Sequence, residues 1–496
     1  MPLSLLTKLF KLIVLTTVMW MYSQNVHAQN VVWSANYGGV YTEEAYSGVR
    51  TSDGGYAILG STYSFGAGDH DIYLLRLDSH GDTLWSRTYG GLATEYGYDI
   101  QLTGDGGFVV VGVTYSYGAG DADVWLLRLD FMGGIVWSHT FGGAGKDTGR
   151  SVRVISGGFL IGGGTSSFGH GYDDFYLLRT NSLGDTLWTR AYGGGGGEVA
   201  FATRPTPDGG FVMCGATGSF GVGYSSMYVV KTDSNGDTLW TTTYGGSRAD
   251  MGYGIEVALD GGLIMVGATA SYGAGEYDIY LVKTDPDGFL EWEATYGGAM
   301  ADQGFSVRPV PDGGYLIAGT TASFGSGKFD GIAIRTNPIG TVEWQRTYGG
   351  TKSDYCYYSV TDNNAWVLIG HTFSYGAGGS DVFINKITAD GATSVDDNDE
   401  PLLPEDFILS QNYPNPFNLS TTIEFTLAQR GDVVLTVYNI LGQTVREWRF
   451  GEVPSGPHSV VWNGLDCNGF EVASGIYLYS LRADTQRLTK KMVLLK

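Results

Sequence analysis

The stretch Val31-Val32-Trp33-Ser34-Ala35-Asn36-Tyr37-Gly38-Gly39 decides the fold, because its ending is written six more times. A Trp, three residues, an aromatic and a Gly pair recur from Trp85, Trp137, Trp188, Trp240, Trp292 and Trp344, at intervals of 52 residues with a single 51. Two further signatures return between these markers. Asp53-Gly54-Gly55 reappears from Asp105, Asp208, Asp260 and Asp312, while Ser156-Gly157-Gly158 and Asn363-Asn364 vary it. Ser64-Phe65-Gly66 reappears around Tyr117, Phe168, Phe220, Tyr272, Phe324 and Tyr375. A fixed period of this length marks a repeat architecture and outranks any local motif.

Each unit reads as four short strands. Segments such as 71–77 and 315–321 are compact, apolar and rich in branched or aromatic residues, and Gly and Asp punctuate them where tight turns need positive φ or a side-chain cap. No segment has a helical period. The Trp strand comes last in each unit, yet Val31 to Tyr37 precedes every other strand, and the seventh unit ends near Ile387 without one. One unit is therefore split between the two ends of the array. An open stack has no use for such a split, whereas a ring uses the N-terminal strand to complete its last unit and remove an exposed edge. The expectation is an all-β chain, with a seven-bladed β-propeller over residues 29–391 followed by a small Ig-like β-sandwich. Unit length, Gly pair and late Trp resemble the Kelch-type propellers. The Gly pair precedes the second strand here instead of ending it, so the resemblance implies architecture only.

The ends of the chain carry different information. Lys8 and Lys11 precede the apolar run 12–21, and Val26-His27-Ala28 supplies a small-residue exit, the pattern of a secretory signal peptide over residues 1–28. No later segment approaches the length of a transmembrane helix, so the mature protein is expected to lack one. Cys214, Cys356 and Cys467 are odd in number and widely spaced, which fits neither a disulfide scaffold nor a zinc site. Composition changes at Gly391. Residues 392–406, with Asp396, Asp397, Asp399, Glu400, Glu405 and Asp406 around Pro401 and Pro404, read as an acidic linker. Beyond it, strands over 422–427, 433–438, 458–462 and 475–481 suggest an Ig-like sandwich over 407–496.

That tail resembles the C-terminal sorting domain of the bacterial type IX (Por) secretion system. The resemblance is carried by Asn412-Tyr413-Pro414-Asn415-Pro416-Phe417-Asn418, Val437-Tyr438-Asn439-Ile440-Leu441-Gly442, Trp462-Asn463-Gly464, Val472-Ala473-Ser474-Gly475-Ile476-Tyr477 and the closing Lys490-Lys491-Met492-Val493-Leu494-Leu495. Leu419 departs from the family, which commonly has Pro there. The resemblance implies the type IX machinery as a partner, export across the outer membrane of a Gram-negative bacterium, and a final place in the medium or on the cell surface.

Composition narrows the function classes. Lys plus Arg total 29 against 51 Asp plus Glu, a net charge of −22, so nucleic acid is a poor partner. The 12 Trp, 33 Tyr and 22 Phe speak against disorder. Histidines 70, 80, 139, 170 and 371 are scattered without ligand spacing, and no catalytic residue, metal or cofactor is assigned. Asp233-Ser234-Asn235-Gly236-Asp237 has the flavour of a calcium loop but lacks the distal Glu, and related copies recur at the same turn. An acid follows every aromatic-Gly-Gly (Glu43, Glu95, Asp147, Glu198, Asp250, Asp302, Asp354), and a second series follows Ser-aromatic-Gly (Asp71, Asp123, Asp174, Asp278, Asp330, Asp381, with Ser226 in the fourth unit). Both border one end of the expected ring, where they either cap their Gly-rich loops or gather cations. Variation between units points to a specific site. The first strand carries Gln101, Arg153, Arg204, Glu256 and Arg308 where the outer units have Val49 and Val360. Arg153, Arg204, Glu256 and Arg308 are the candidate ligand-binding residues. The expected function is non-catalytic, adhesin-like binding of an extracellular glycan or protein. The alternative is a secreted carbohydrate-active enzyme, a lyase or glycosidase, drawing its acid and base from the loop carboxylates.

Overall fold

The structure, a computed structural model, describes residues 31–388 except 363–364 and 377, and residues 408–495 except 413, 419, 428–430, 454–455, 468 and 484–485. The expected signal peptide and acidic linker lie outside the described residues. Two compact units result, 31–388 and 408–495, and every regular element in them is a strand.

In the first unit, each repeat forms one antiparallel four-stranded sheet with its strands in sequence order, as in Glu43–Arg50, Tyr56–Thr62, Asp71–Leu77 and Thr83–Tyr89. The last sheet is the exception. There Val31–Tyr37 pairs with Asp381–Thr388, Tyr37 opposite Val382 and Val31 opposite Ile387, beside Ala365–Thr372 and Asp354–Asp362. The two middle strands of a sheet are buried along nearly their whole length, which explains their apolar runs. The fourth strand is mostly exposed, and the first alternates before a bulge breaks its register.

Apolar side chains of adjacent sheets interlock in separate cores. Ala57, Leu59, Ile72 and Leu74 pack on Val110, Trp125 and Leu127, and equivalent cores join each following pair of sheets. The packing also joins the last sheet to the first, through Val367, Ile369, Val382 and Ile384 against Tyr56, Ile58, Tyr73 and Leu75. The repeated Trp and aromatic of the fourth strand serve these joints. Tyr89 donates its hydroxyl to the Gly133 carbonyl at 2.7 Å, Tyr192 to Gly236 at 2.6 Å and Tyr296 to Gly340 at 2.6 Å, each 44 residues on. Gly133 (φ +80) turns the chain so closely over Trp85 that a Cβ would sit 3.0 Å from the indole. Phe141 has no hydroxyl, and His139 bonds the Leu183 carbonyl there instead, at 3.1 Å.

The second unit is a two-sheet Ig-like sandwich. One sheet orders Ile408–Leu409, Thr421–Leu427 and Gly456–Trp462, and the other orders Thr444–Val453, Gly431–Asn439, Gly475–Ala483 and Gln486–Leu494. Leu435, Val437, Tyr479 and Leu481 meet Ile423, Phe425 and Trp462 in its core. Thr444–Val453 and Gln486–Leu494 go beyond the four strands expected from sequence. Among the described residues, no helix is long and apolar enough to cross a membrane.

Candidate functional site: an aromatic collar over a charged layer

The first strand of every repeat carries a β-bulge three residues after its loop acid, as between Ala45 and Ser47 or Gly252 and Gly254. A bulge re-aims the extra residue. The seven bulged residues are Tyr46, Tyr98, Arg150, Phe201, Tyr253, Phe305 and Tyr357, and they touch in succession all the way round. Ring centroids are 5.6 Å apart for Tyr46–Tyr98, 5.1 Å for Phe201–Tyr253, 5.0 Å for Tyr253–Phe305, 4.9 Å for Phe305–Tyr357 and 5.7 Å for Tyr357–Tyr46. The Arg150 guanidinium completes the collar, 3.9 Å from the Tyr98 centroid and 6.0 Å from that of Phe201. Positions about 5 Å apart lie on a circle of roughly 6 Å radius, and the rings' own bulk leaves an opening about 6 Å wide. The collar lines a cavity of about 230 Å³. Sequence reasoning missed it, although aligning the third residue after each acid displays it.

Three residues further along the strands, about 10 Å at 3.3 Å per residue, lies a charged layer. Arg204 grips Glu256 with Nε and Nη2 at 2.8 and 2.7 Å, and Arg308 adds Nη1 at 2.5 Å. Arg308 also donates to the Ser359 carbonyl and lies 4.6 Å over the Tyr358 ring. Arg153 donates to Asp99 at 2.6 Å. Asp99 was not singled out in the sequence. It is 4% exposed and also accepts Ser47 Oγ and the Ile100 and Val152 amides at 2.9–3.0 Å. Of the four expected ligand residues, Arg153 and Arg204 line the cavity, whereas Glu256 and Arg308 stand beside it in the ion-pair network. Burial pushes the Glu256 carboxyl above the ordinary carboxylate value, and Arg308 and Arg153 pull against it.

The collar's other edge meets a polar cluster. Tyr46 donates its hydroxyl to Glu44, and His371 lies 5.5 Å from Tyr357 and 4.8 Å from Tyr355. His371 is 4% exposed, and burial holds its imidazole below the ordinary value against the pull of Glu44 and Asp354. Burial likewise pushes the Tyr253 hydroxyl up to about 12.

The two loop-acid series are buried, at 0% for the first and 1–2% for the second. Glu95 accepts the Gly91 amide at 2.8 Å, the Thr114 hydroxyl at 2.9 Å and the Ser116 amide at 3.1 Å. Asp123 accepts the Ala119 and Gly120 amides at 2.9 and 3.1 Å. Members of the two series meet around the first Gly of aromatic-Gly-Gly, so a Cβ on Gly90 would overlap carboxylate oxygens of both Asp71 and Glu95. Asp233 accepts the Asn235 and Asp237 amides at 2.8 and 2.9 Å, a side-chain turn. These acids are held by their own loops and do not face the cavity. Among the described residues, no group of three or more potential metal ligands converges.

In the tail, some of the residues that carry the resemblance are anchors and others are exposed. Asn412, 2% exposed, donates to Thr421 Oγ1 at 2.8 Å and the Pro414 carbonyl at 3.2 Å. Asn415 Oδ1 accepts the Val493 amide at 2.7 Å, and Phe417 exchanges backbone bonds with Val493 and Leu495 while its ring meets Trp462 at 5.5 Å. Pro414, Pro416, Asn418, Gly475 and Lys491 are exposed, Lys490 is half-buried, and Tyr413 lies outside the described residues. Gly475 opens its strand opposite Leu494, and Lys490 and Lys491 stand opposite Tyr479 and Leu478.

No curated protein matches the chain. Solved structures with similarity to it include PorZ, an essential bacterial surface component of the type IX secretion system of Porphyromonas gingivalis, at 12% identity and a TM-score of 0.41 over 92% of this chain. The chain covers 60% of PorZ. Others are Sqt1 from Chaetomium thermophilum (12% identity, 73% of this chain and 99% of that one, TM-score 0.42) and the polysaccharide lyase Uly1 (8% identity, 74% and 93%, TM-score 0.40). Residues 418–487 match the FlgD Ig-like domain family, in agreement with the two-sheet sandwich they form.

Proposed function

We propose that residues 29–391 are a seven-bladed, Kelch-like β-propeller that binds an extracellular glycan or protein through its central channel, exported by way of a type IX sorting domain over 407–496. The observation that carries the binding role is the collar: six aromatic side chains and one arginine around a cavity of about 230 Å³. Flat apolar faces with a few polar groups converging on them are what a small-ligand site requires. The propeller reading is supported by cores that follow the sheets in sequence and also join the last to the first. The sorting reading is supported by the motif series from Asn412 to Leu495 and by the Ig-like fold that carries it. Such a protein ends in the medium or on the outer-membrane surface as an adhesin-like module. Binding is favoured over catalysis because the loop carboxylates that an enzyme would draw on are buried and hydrogen-bonded within their own loops. A glycan-array and polysaccharide-degradation screen on the full chain tests this. Binding without depolymerisation, weakened at least tenfold by Tyr253→Ala or Phe305→Ala, is expected; depolymerisation, or binding indifferent to both substitutions, contradicts it.

A further inference from the structure

We propose that Arg150 makes the channel a receptor for a carboxylated sugar, a uronate unit whose carboxylate pairs with the guanidinium while its ring lies against the neighbouring aromatics. The inference rests on the glycan-binding reading and deepens it to a ligand class.

Three observations carry it. The first is broken symmetry. Six repeats place an aromatic ring at the bulge and only the third places a cation there, and a residue needed once is written once in an array that otherwise repeats itself. The second is the electrostatic state of that cation. Arg153 and Arg204, the other arginines lining the cavity, each contact a carboxylate, whereas Arg150 contacts none among the described residues, and its buried Nε has no hydrogen-bond partner. The nearby carboxylates are already engaged: Asp99 by Arg153 and two amides, Glu256 by two arginines, and Glu44 by Tyr46. A guanidinium that lines the cavity without a carboxylate partner among the described residues is open to pairing with a ligand oxyanion. The third is preorganisation. Stacking 3.9 Å from the Tyr98 centroid holds the guanidinium, and its planar fork suits a bidentate carboxylate.

Size and surface narrow the class. A cavity of about 230 Å³ lies below the ~300–1,000 Å³ of sites for drug-sized ligands, so it takes about one ring-sized unit. The collar's flat faces, with hydroxyls on Tyr46, Tyr98, Tyr253 and Tyr357, match a sugar's apolar C–H faces and polar rim. A peptide's C-terminal carboxylate would also satisfy Arg150, so peptides with free and amidated C-termini form a separate arm of the test.

The test is calorimetric titration of the full chain with trisaccharides of galacturonate, glucuronate, mannuronate and guluronate, their neutral counterparts, and short peptides with free or amidated C-termini. Arg150→Tyr restores the residue type of the other repeats, and an unchanged melting temperature verifies its fold. At least one acidic trisaccharide should bind tenfold or more tightly than its neutral counterpart, and Arg150→Tyr should erase that preference. Equal binding of acidic and neutral sugars, or a preference that survives Arg150→Tyr, overturns the uronate assignment and leaves glycan binding standing. A free-C-terminus peptide binding more tightly than every sugar overturns the assignment in favour of a peptide receptor. Binding of no trisaccharide overturns the uronate assignment and the glycan reading together.

Discussion

Asp250 offers the sharpest separation of loop capping from cation binding. It is fully buried, and its Oδ2 accepts the Gly246 amide at 2.8 Å and Ser271 Oγ at 2.7 Å while Oδ1 accepts the Thr269 hydroxyl. The preceding repeat has Ser226 where the others place the second carboxylate, so no like charge complicates the change. Asp250→Ala removes the acceptor for all three donors. The two hydroxyls can turn elsewhere, but the Gly246 amide cannot. Charge-assisted bonds contribute about 1.5–3 kcal/mol each, and a stranded buried donor costs about 1–3 kcal/mol. Relief of carboxylate burial offsets part of this, leaving an expected loss of about 2–4 kcal/mol. With an unfolding entropy near 2.1 cal/mol/K per residue, a unit of this size loses roughly 1 °C per kcal/mol, so Tm should fall by about 2–5 °C. Asp250→Asn keeps one oxygen, but its amide must oppose either the Gly246 N–H or the Thr269 hydroxyl. An intermediate loss of about 1 kcal/mol follows, more than the sequence alone suggests. Thermal unfolding of the three proteins with and without millimolar calcium is the assay. Capping predicts the order Ala, Asn, wild type in rising stability, with no calcium effect. A wild-type rise of several degrees in calcium, abolished equally by both substitutions, would refute it, because only a site occupied in the folded state gives that linkage.

Three further outcomes follow from the geometry. Deleting residues 31–37 strips the strand paired to Asp381–Thr388 and removes Trp33 from its core, so Tm should fall and the protein should aggregate; unchanged melting and monomeric elution in size-exclusion chromatography would contradict this. Asp53 sits at about 2, drawn down by the Thr51 hydroxyl against partial burial, with Arg76 adding to the pull. Its folded value lies below the unfolded ~3.9, so its contribution is complete above about pH 4 and fades as pH falls through 2. Because this carboxylate is largely exposed, Asp53→Asn should cost under about 1 kcal/mol at pH 7, with the gap in urea midpoints closing towards pH 2. Removing residues 407–496 should leave a folded repeat unit retained in the cell envelope, and equal surface or medium levels of truncated and full chains by immunoblot would contradict the sorting role.

The repeat period and the displaced Trp strand were legible because they reside in residue types with one strong structural use. Trp33 to Trp344 each close a sheet, and Val31–Tyr37 completes the sheet of Asp381–Thr388 as its position in the order implied. The collar was not legible in the same way. Its residues sit on bulges, where the alternation of the strand breaks, and Arg150 disguises the column as a mixture of types. Arg153, Arg204, Glu256 and Arg308 were visible as departures from the repeat, but Asp99 was not, because the other repeats vary at that position and no single departure stands out. Their mutual pairing depends on strands 52 residues apart meeting side by side, which local pattern does not encode. The pairing of Asp53 with Arg76, repeated as Asp105 with Arg128 and Asp208 with Lys231, was hidden similarly by the hairpin between them. In the tail, Thr444–Val453 and Gln486–Leu494 escaped notice because charged residues dilute their apolar positions.

The proposed binding role requires ligand to enter the cavity through the aromatic collar. A crystal structure of the chain with the tightest-binding sugar from the array tests it most directly. Density is expected for a sugar ring against the faces of Tyr98, Phe201 and Tyr253, within hydrogen-bond distance of Arg150 and inside the cavity of about 230 Å³. Density for the ligand on the outer strands or the loop rim, with the collar unchanged and empty, would contradict it.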